Sequence, residues 1–524
     1  MENVSATTLD NHLNDYRSGT YPLSSLTSHE LAHQWFGDLI TCQNWGNIWL
    51  NEGFANFFDA LYLNHAFGRN AFLAEKESFL RGYLFETHRY ERPIVTEFYA
   101  RPSVMFDATT YDKGALVLAM LYHRLGHKVF FKALHNYLKE YQYKNANTLE
   151  LQQSMSASTG INLANFFHQW VFEPGHPVLN MTWSYQPDTH TVQADIQQKQ
   201  KLINGVPVFH TPVTLGLIFP NGSIKKIDVY LKEQTQSFQV PSSVQPAAVL
   251  LDPDHWLLKE VPHLHWSAQE LPYILHYAPA YLDRIAAAQK ITAEHNGLNN
   301  QTEPLFLAQL SREQSGRVAA YLIQQLAALK DPHLQPLFLT QARSRSLRRS
   351  TAAIEALGKL LPNSSAVKLV KSIAASNTLP YQQVGAAIGS LVAFNPNNAL
   401  PVIQQQAAHN NPTLTESILR AISLKTLPAA EPIVINAASQ NTPFFVRYLA
   451  LIKLRQTPDT DAAANSCILS MLKGAPGFMQ MQIVNTLGER KVSSALPALK
   501  NLLNSTKNPG LKNAITGAIK NIVP

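Results

Sequence analysis

Three contrasts of texture predict a multidomain chain: a mainly helical N-terminal region, a small β-sandwich and a C-terminal α-solenoid. Amphipathic helical periodicity with frequent aromatics fills residues 1–177, apolar–polar alternation replaces it over 178–262, and helical periodicity returns over 263–524. In the last region prolines recur at 380, 412, 443, 476 and 509. A chain of 524 residues is too long for one hydrophobic core and fits three or four domains of roughly 150 residues.

In the first region the apolar spacing predicts helices over Leu26–Leu39, Leu50–Leu63, Tyr111–Leu125 and Val129–Tyr141, and Gly175-His176-Pro177 breaks the pattern. In the second, Val192-Gln193-Ala194-Asp195-Ile196 alternates strictly, and Pro220-Asn221-Gly222 between apolar runs signals a hairpin. Six to eight strands are expected there, roughly the number a small sandwich needs. In the third, the prolines lie 32, 31, 33 and 33 residues apart, and several precede apolar-periodic segments such as Val384-Ala387-Ile388-Leu391. Proline suits the first turn of a helix, where its missing N–H is no loss. A period near 32 with two helices per unit is similar to HEAT repeats, if a little short. A plain bundle of similar-length helices is the alternative.

Composition narrows the function classes. Hydrophobic residues make up 45% and charged residues 15%, a globular balance. Against 43 Lys+Arg stand 36 Asp+Glu, and a net charge of +7 over this length reads as a solvated surface, not a nucleic-acid footprint. The densest basic run is Arg343 to Arg349, in a helical region where such a run faces water. No apolar stretch of about 18 residues is present, so no membrane span is expected. Cys42 and Cys467 form neither a disulfide framework nor a C-x-x-C metal site.

The chemistry lies in His29-Glu30-Leu31-Ala32-His33. Helical residues four apart stand about 40° apart around the axis, so both imidazoles leave one face and can share a metal ion. Glu30 lies beside them, within reach of a water on that ion. A short motif of this kind also arises by chance, and a catalytic zinc needs a third protein ligand and an open position. Glu52 supplies a candidate: 18 residues separate it from His33, and it opens the next helical run, Trp49-Leu50-Asn51-Glu52-Gly53-Phe54-Ala55. Gly37-Asp38 and Asn44 to Asn47 give the chain room to reverse, and an antiparallel helix pair would return Glu52 to the histidines. Asp59, seven residues after Glu52 on the same face, either orients a ligating imidazole or is a solvated carboxylate.

The stretch from Thr27 to Asp59 closely resembles the zinc-binding segment of the alanyl aminopeptidase family of metallopeptidases, part of the gluzincins, with HELAHQWFGDLI followed by WLNEGFA. The resemblance implies a thermolysin-like catalytic domain binding one Zn2+ per chain through His29, His33 and Glu52, with Glu30 as general base. Tyr111-Asp112-Lys113-Gly114 looks like the family's Y-[ED]-K-G segment, which implies that Tyr111 donates a hydrogen bond to the oxyanion. Alone, such a tyrosine reads as a packing residue. The family's G-x-M-E-N motif, whose Glu grips the substrate's α-amine, coincides from its Met onward with Met1-Glu2-Asn3, so Glu2 is the implied amine-binding carboxylate.

The resemblance extends to about residue 262, with its specific motifs in the first 114 residues. Family members carry a β domain and an early half of the catalytic domain before the point that Met1 matches. The expectation is therefore an N-terminally truncated member, a fragment or one part of a split gene, with the missing portion as a separate-chain partner. The implied activity is hydrolysis of the N-terminal peptide bond of peptides with a free N-terminus. Competing readings are an interaction protein using the solenoid and another zinc hydrolase such as an epoxide hydrolase. The compartment stays open, cytoplasmic being favoured over periplasmic or secreted.

Overall fold

The computed structural model describes residues 3–9, 22–439 and 442–523. Helices dominate, with a few small sheets between them. The described chain divides into two compact units, one of residues 3–9 and 22–309, the other of residues 310–439 and 442–523.

In the first unit, α1 spans Pro22–Ala32 and α2 spans Trp49–Phe67. The first helix stops earlier than its apolar spacing suggests. Phe36 and Gly37 leave the helical path, Gly37 at φ +138°, and the Asp38 amide donates to the His33 carbonyl at 2.9 Å. Only glycine takes that backbone conformation readily. The chain then enters β1 (Ile40–Cys42), which pairs in parallel with β2 (Lys144–Ala146). The N-terminal half of α2 is buried almost all round, from Trp49 to Ala55, as expected of a helix running through a core.

Around α2 pack α3 (Arg69–Thr87), α4 (Gly114–Leu125), α5 (His127–Tyr141), α6 (Thr148–Thr159) and the short α7 (Ala164–Phe167). Gly68 and Gly126, both at positive φ, separate α2 from α3 and α4 from α5. Asn147 and Glu150 form a reciprocal capping box that starts α6. The shared core includes Phe54, Phe57, Leu118, Phe130 and Trp170. Truncating one of these aromatics to alanine costs about 3–5 kcal/mol.

Six strands follow: β3 (Leu179–Gln186), β4 (Thr191–Gln198), β5 (Thr211–Ile218), β6 (Ile224–Leu231), β7 (Thr235–Pro241) and β8 (Ala248–Leu251). They form two antiparallel three-stranded sheets, ordered β3-β4-β7 and β6-β5-β8. Val192, Ala194 and Ile196 of one sheet share a core with Val213, Leu215 and Leu217 of the other, which is the period-two alternation put to use. The hairpin signal holds: Gly222, φ +82°, turns β5 into β6. Two further helices, α8 (Leu271–Tyr277) and α9 (Tyr281–Glu294), belong to this unit. Tyr281 Oη donates to Glu77 of α3 at 2.9 Å, and His255 Nε2 meets Asp283 at 3.0 Å.

In the second unit the recurring prolines begin every second helix. Pro412 and Pro509 are first residues of helices Pro412–Ala421 and Pro509–Ile522. Pro380, Pro443 and Pro476 stand one place earlier, as N-caps with extended ψ, before Tyr381–Phe394, Phe444–Leu454 and Gly477–Glu489. The helices of this series pack neighbour on neighbour, 381–394 on 412–421, 412–421 on 444–454, and 477–489 on 509–522. Glycines permit the approach: a methyl on Gly488 would lie 2.7 Å from Ala518 Cα. Within the arginine run, Arg343, Arg345 and Arg348 face solvent, and Arg349 donates to the Glu313 carbonyl.

Candidate metal centre and catalytic site

Two helix ends bring the histidines and Glu52 together. His29 lies in the last turn of α1, and His33 follows one residue beyond its end. Glu52 sits in the first turn of α2 and is 4% exposed. His33 Nε2 is 3.2 Å from His29 Nε2 and 3.2 Å from Glu52 Oε2, and His29 Nε2 is 3.5 Å from the same oxygen. Donor atoms on one tetrahedral zinc, bonded at about 2.0–2.2 Å, stand roughly 3.3–3.6 Å apart. The triangle has the size of one face of that tetrahedron, and two imidazoles with a carboxylate are a zinc donor set, so the residues fit the metal. Among the described residues this is the one group of three or more His, Cys, Asp or Glu whose donor atoms all lie within 4.8 Å.

The surroundings orient the ligands. His33 Nδ1 lies 3.0 Å from the Phe36 carbonyl, so a proton there leaves Nε2 as the lone-pair donor toward the triangle. The early end of α1 provides this acceptor, because Phe36 has left the helical path. Burial pushes the Glu52 carboxyl up, but when the two rings are protonated their hydrogen bonds and positive charge outweigh it and hold the group at about 2; a metal ion would stand in place of those Nε2 protons. Glu52 therefore stays ionised across the physiological range.

Asp59 is neither an imidazole's partner nor solvated. It is 3% exposed, and its two oxygens accept from Ser25 Oγ at 2.6 Å and Ser28 Oγ at 3.1 Å. Both serines lie on α1, so Asp59 fastens the two ligand-bearing helices together. Glu30, the residue after His29, is 8% exposed.

Tyr111 stands on a π-helical turn, Thr109–Lys113, that leads into α4. Wide turns of this type recur at functional sites, where they re-aim one side chain. Its ring lies nearly parallel to that of His29, with centroids 6.3 Å apart. Lys113, next in the motif but one, is fully buried and donates to the Glu173 carbonyl at 3.3 Å. Trp45 and Phe106, both partly exposed, line up beside it: the Phe106 ring is 6.4 Å from Tyr111 and 5.9 Å from Trp45.

Several residues of this frame escaped the sequence reading. Gly53, beside Glu52, meets Gly114, at the start of α4, in direct backbone contact. Glu86, Arg92 and Asp107 surround the first amides of the π turn. A signal for Asp107 was present: Asp107-Ala108-Thr109-Thr110 before an apolar run is a helix-start pattern. Glu2 lies outside the described residues. In the turn after α1, Gln34, which follows His33, accepts from the Ser5 amide at 3.2 Å and donates to the Asn3 carbonyl at 3.4 Å.

Comparison with known proteins agrees with this geometry. Residues 1–170 match the Peptidase family M1 domain. Over these residues the chain is similar to peptidase family M1. The chain is 35% identical over 195 residues to Aminopeptidase M1-C of Oryza sativa subsp. japonica, covering 36% of this chain and 22% of that protein. It is 29% identical over 236 residues to the Membrane alanyl aminopeptidase of Heliothis virescens, covering 42% and 23%. To Probable aminopeptidase 1 of Sulfurisphaera tokodaii it is 32% identical over 170 residues, covering 30% and 21%. Each match thus spans between a fifth and a quarter of the relative's length. In fold, 95% of the chain superposes on 65% of the aminopeptidase A of Legionella pneumophila, with a TM-score of 0.62 and 17% identity. Among the described residues no helix is long and apolar enough to cross a membrane.

Proposed function

We propose that the segment similar to family M1 carries the catalytic site of a zinc-dependent aminopeptidase, which releases the first residue of a peptide with a free N-terminus. The observation that carries the reading is the triangle of His29, His33 and Glu52 donor atoms at 3.2–3.5 Å. The relatives support it, since each is named as an aminopeptidase. We read the same chain as a peptidase domain over 1–177, a β-sandwich over 178–262 and a HEAT-like array over the helical remainder. The two sheets with one core and the proline-led helices support that division.

His29, His33 and Glu52 would hold the metal, with His33 fixed by the Phe36 carbonyl. When bound, zinc supplies Lewis-acid chemistry, polarising a carbonyl and making water acidic near neutral pH. Glu30, buried beside His29, accepts the proton of the attacking water and delivers it to the departing amine. Tyr111 Oη donates to the oxygen that gains charge as the carbonyl becomes tetrahedral; a phenol keeps its proton at neutral pH, so it remains a donor. Glu2, in the motif that the family uses for the α-ammonium, would pair with the substrate's free amine and confine cleavage to the first bond. Asn3 and Ser5, which follow Glu2 in sequence, bond to Gln34, the residue after His33.

The test is a pair of aminoacyl fluorogenic amides, one with a free amine and one N-acetylated, each assayed with and without chelator. Chelator-sensitive release from the free amine alone is expected. Equal release from the acetylated compound would refute Glu2 as the amine anchor, and chelator-resistant release would refute the metal mechanism.

A further inference from the structure

A π turn, like any helix start, leaves its first amides without intrahelical acceptors. Here each is met. Glu86, on α3, accepts from the Ala108 amide at 2.9 Å and from the Thr109 amide and hydroxyl, both at 3.0 Å. Asp107 accepts from the Thr110 amide at 2.9 Å through its side chain and from the Tyr111 amide at 3.1 Å through its carbonyl. Arg92 grips Asp107 with two bonds, Nε–Oδ2 at 2.9 Å and Nη2–Oδ1 at 2.6 Å, and reaches Thr110 Oγ1 at 2.8 Å. The guanidinium is itself held by the Pro93 and Ile94 carbonyls at 2.7 and 2.9 Å. Tyr90 Oη adds a bond to Asp107 at 2.7 Å. The arginine and aspartate side chains are only 14% and 8% exposed.

From this geometry we infer that Glu86, Asp107 and Arg92 are positioning residues for the Tyr111 phenol. The inference rests on the proposed role of Tyr111. Side-chain acceptors on three consecutive amides of one short turn, with a backbone carbonyl on the fourth, specify its backbone more tightly than a solvent-capped helix start would. The bidentate arginine fixes the plane of the Asp107 carboxylate, so that its second function, capping Thr110, has one geometry. None of the three touches the metal triangle, so they act through Tyr111 or not at all. Misplacing a reacting group by about 1 Å can cost on the order of a hundredfold in rate. A loosened turn should therefore lower kcat and spare KM and zinc content.

The experiment is a double-mutant cycle on the zinc-loaded chain, with Asp107→Asn, Tyr111→Phe and the pair. Asp107→Asn should lower kcat about tenfold with KM within about twofold. In the Tyr111→Phe background it should cost nothing more, because its route to the chemistry is already gone. Equal fold losses in the two backgrounds would overturn the inference and make the network merely structural. Undiminished activity in Tyr111→Phe alone would overturn the reading of Tyr111 and this inference with it. Should Asp107→Asn not fold, the nearly isosteric Thr110→Val removes one Arg92 contact and is expected to lower kcat about threefold in the same pattern. A crystal structure of whichever variant folds gives a readout independent of rate: the Tyr111 ring should leave its 6.3 Å stacking distance from His29 or lose order, and an unmoved, ordered ring would refute the proposal.

Discussion

A methyl group added to Gly53 would lie 3.2 Å from Gly114 Cα and 3.3 Å from the Thr110 carbonyl oxygen. The helix carrying Glu52 and the turn carrying Tyr111 therefore touch backbone to backbone, with no side chain between them. Gly53→Ala should drive these elements apart. It should destabilise the fold by about 1–3 kcal/mol, as overpacking does, and lower kcat about tenfold. Denaturant unfolding and steady-state kinetics on the same preparation check both effects, and unchanged kcat would show that the contact does not set the geometry of the site.

Glu30→Gln preserves shape and removes the base. Turnover should fall by at least a hundredfold while the protein keeps its zinc, since the three ligands are untouched. Elemental analysis beside the activity assay checks this. Zinc lost from the variant would assign Glu30 to metal binding instead.

Asp59→Ala would strip the acceptor from Ser25 and Ser28, which tie α1 to α2. Ser28 keeps the Ser24 and Ser25 carbonyls as acceptors, so the cost is the lost tie between the helices, about 1 kcal/mol for each side-chain hydrogen bond. A looser pairing of the two ligand-bearing helices should also weaken zinc binding, by less than the roughly tenfold that loss of a direct partner of a ligand costs. Competition with a zinc-sensitive chelator measures the second effect; affinity equal to wild type would confine Asp59 to a purely local role.

Asp112 gives a pH dependence. Burial, followed by the negative charges of Glu86, Glu75 and Asp107, pushes its carboxyl from 3.8 up to about 7. The folded state thus holds this proton longer than the unfolded chain does. Its contribution to stability is fully present below about pH 4 and is lost as pH rises through 7. Asp112→Asn does not titrate and keeps a partner for Asn56, which donates to Asp112 at 3.3 Å. The variant should therefore match wild type near pH 4 and exceed it in unfolding midpoint near pH 8. A constant difference across that range would contradict the assignment.

What the sequence made legible follows from the range of the interactions. His29, His33 and Glu52 were readable because four-residue spacing acts within one turn, and the apolar surroundings of Glu52 mark a buried helix. The end of α1 was not, since it depends on Gly37 and on pairing between β1 and β2, over a hundred residues apart. Asp59 was singled out but misjudged, because its partners are hydroxyls on a different helix. The prolines gave the period of the C-terminal helices, yet three of the five are N-caps, a position whose extended ψ proline also satisfies. Glu86, Arg92 and Asp107 come from separate segments, and only the fold assembles them.

The most direct test is the zinc content of the purified chain and of His33→Ala and Glu52→Ala, determined by elemental analysis after exhaustive dialysis. About one zinc per chain is expected for the wild type, with little or none in either variant. A wild-type protein that retains no zinc, or variants that keep a full equivalent, would contradict the metal centre on which the proposed chemistry depends.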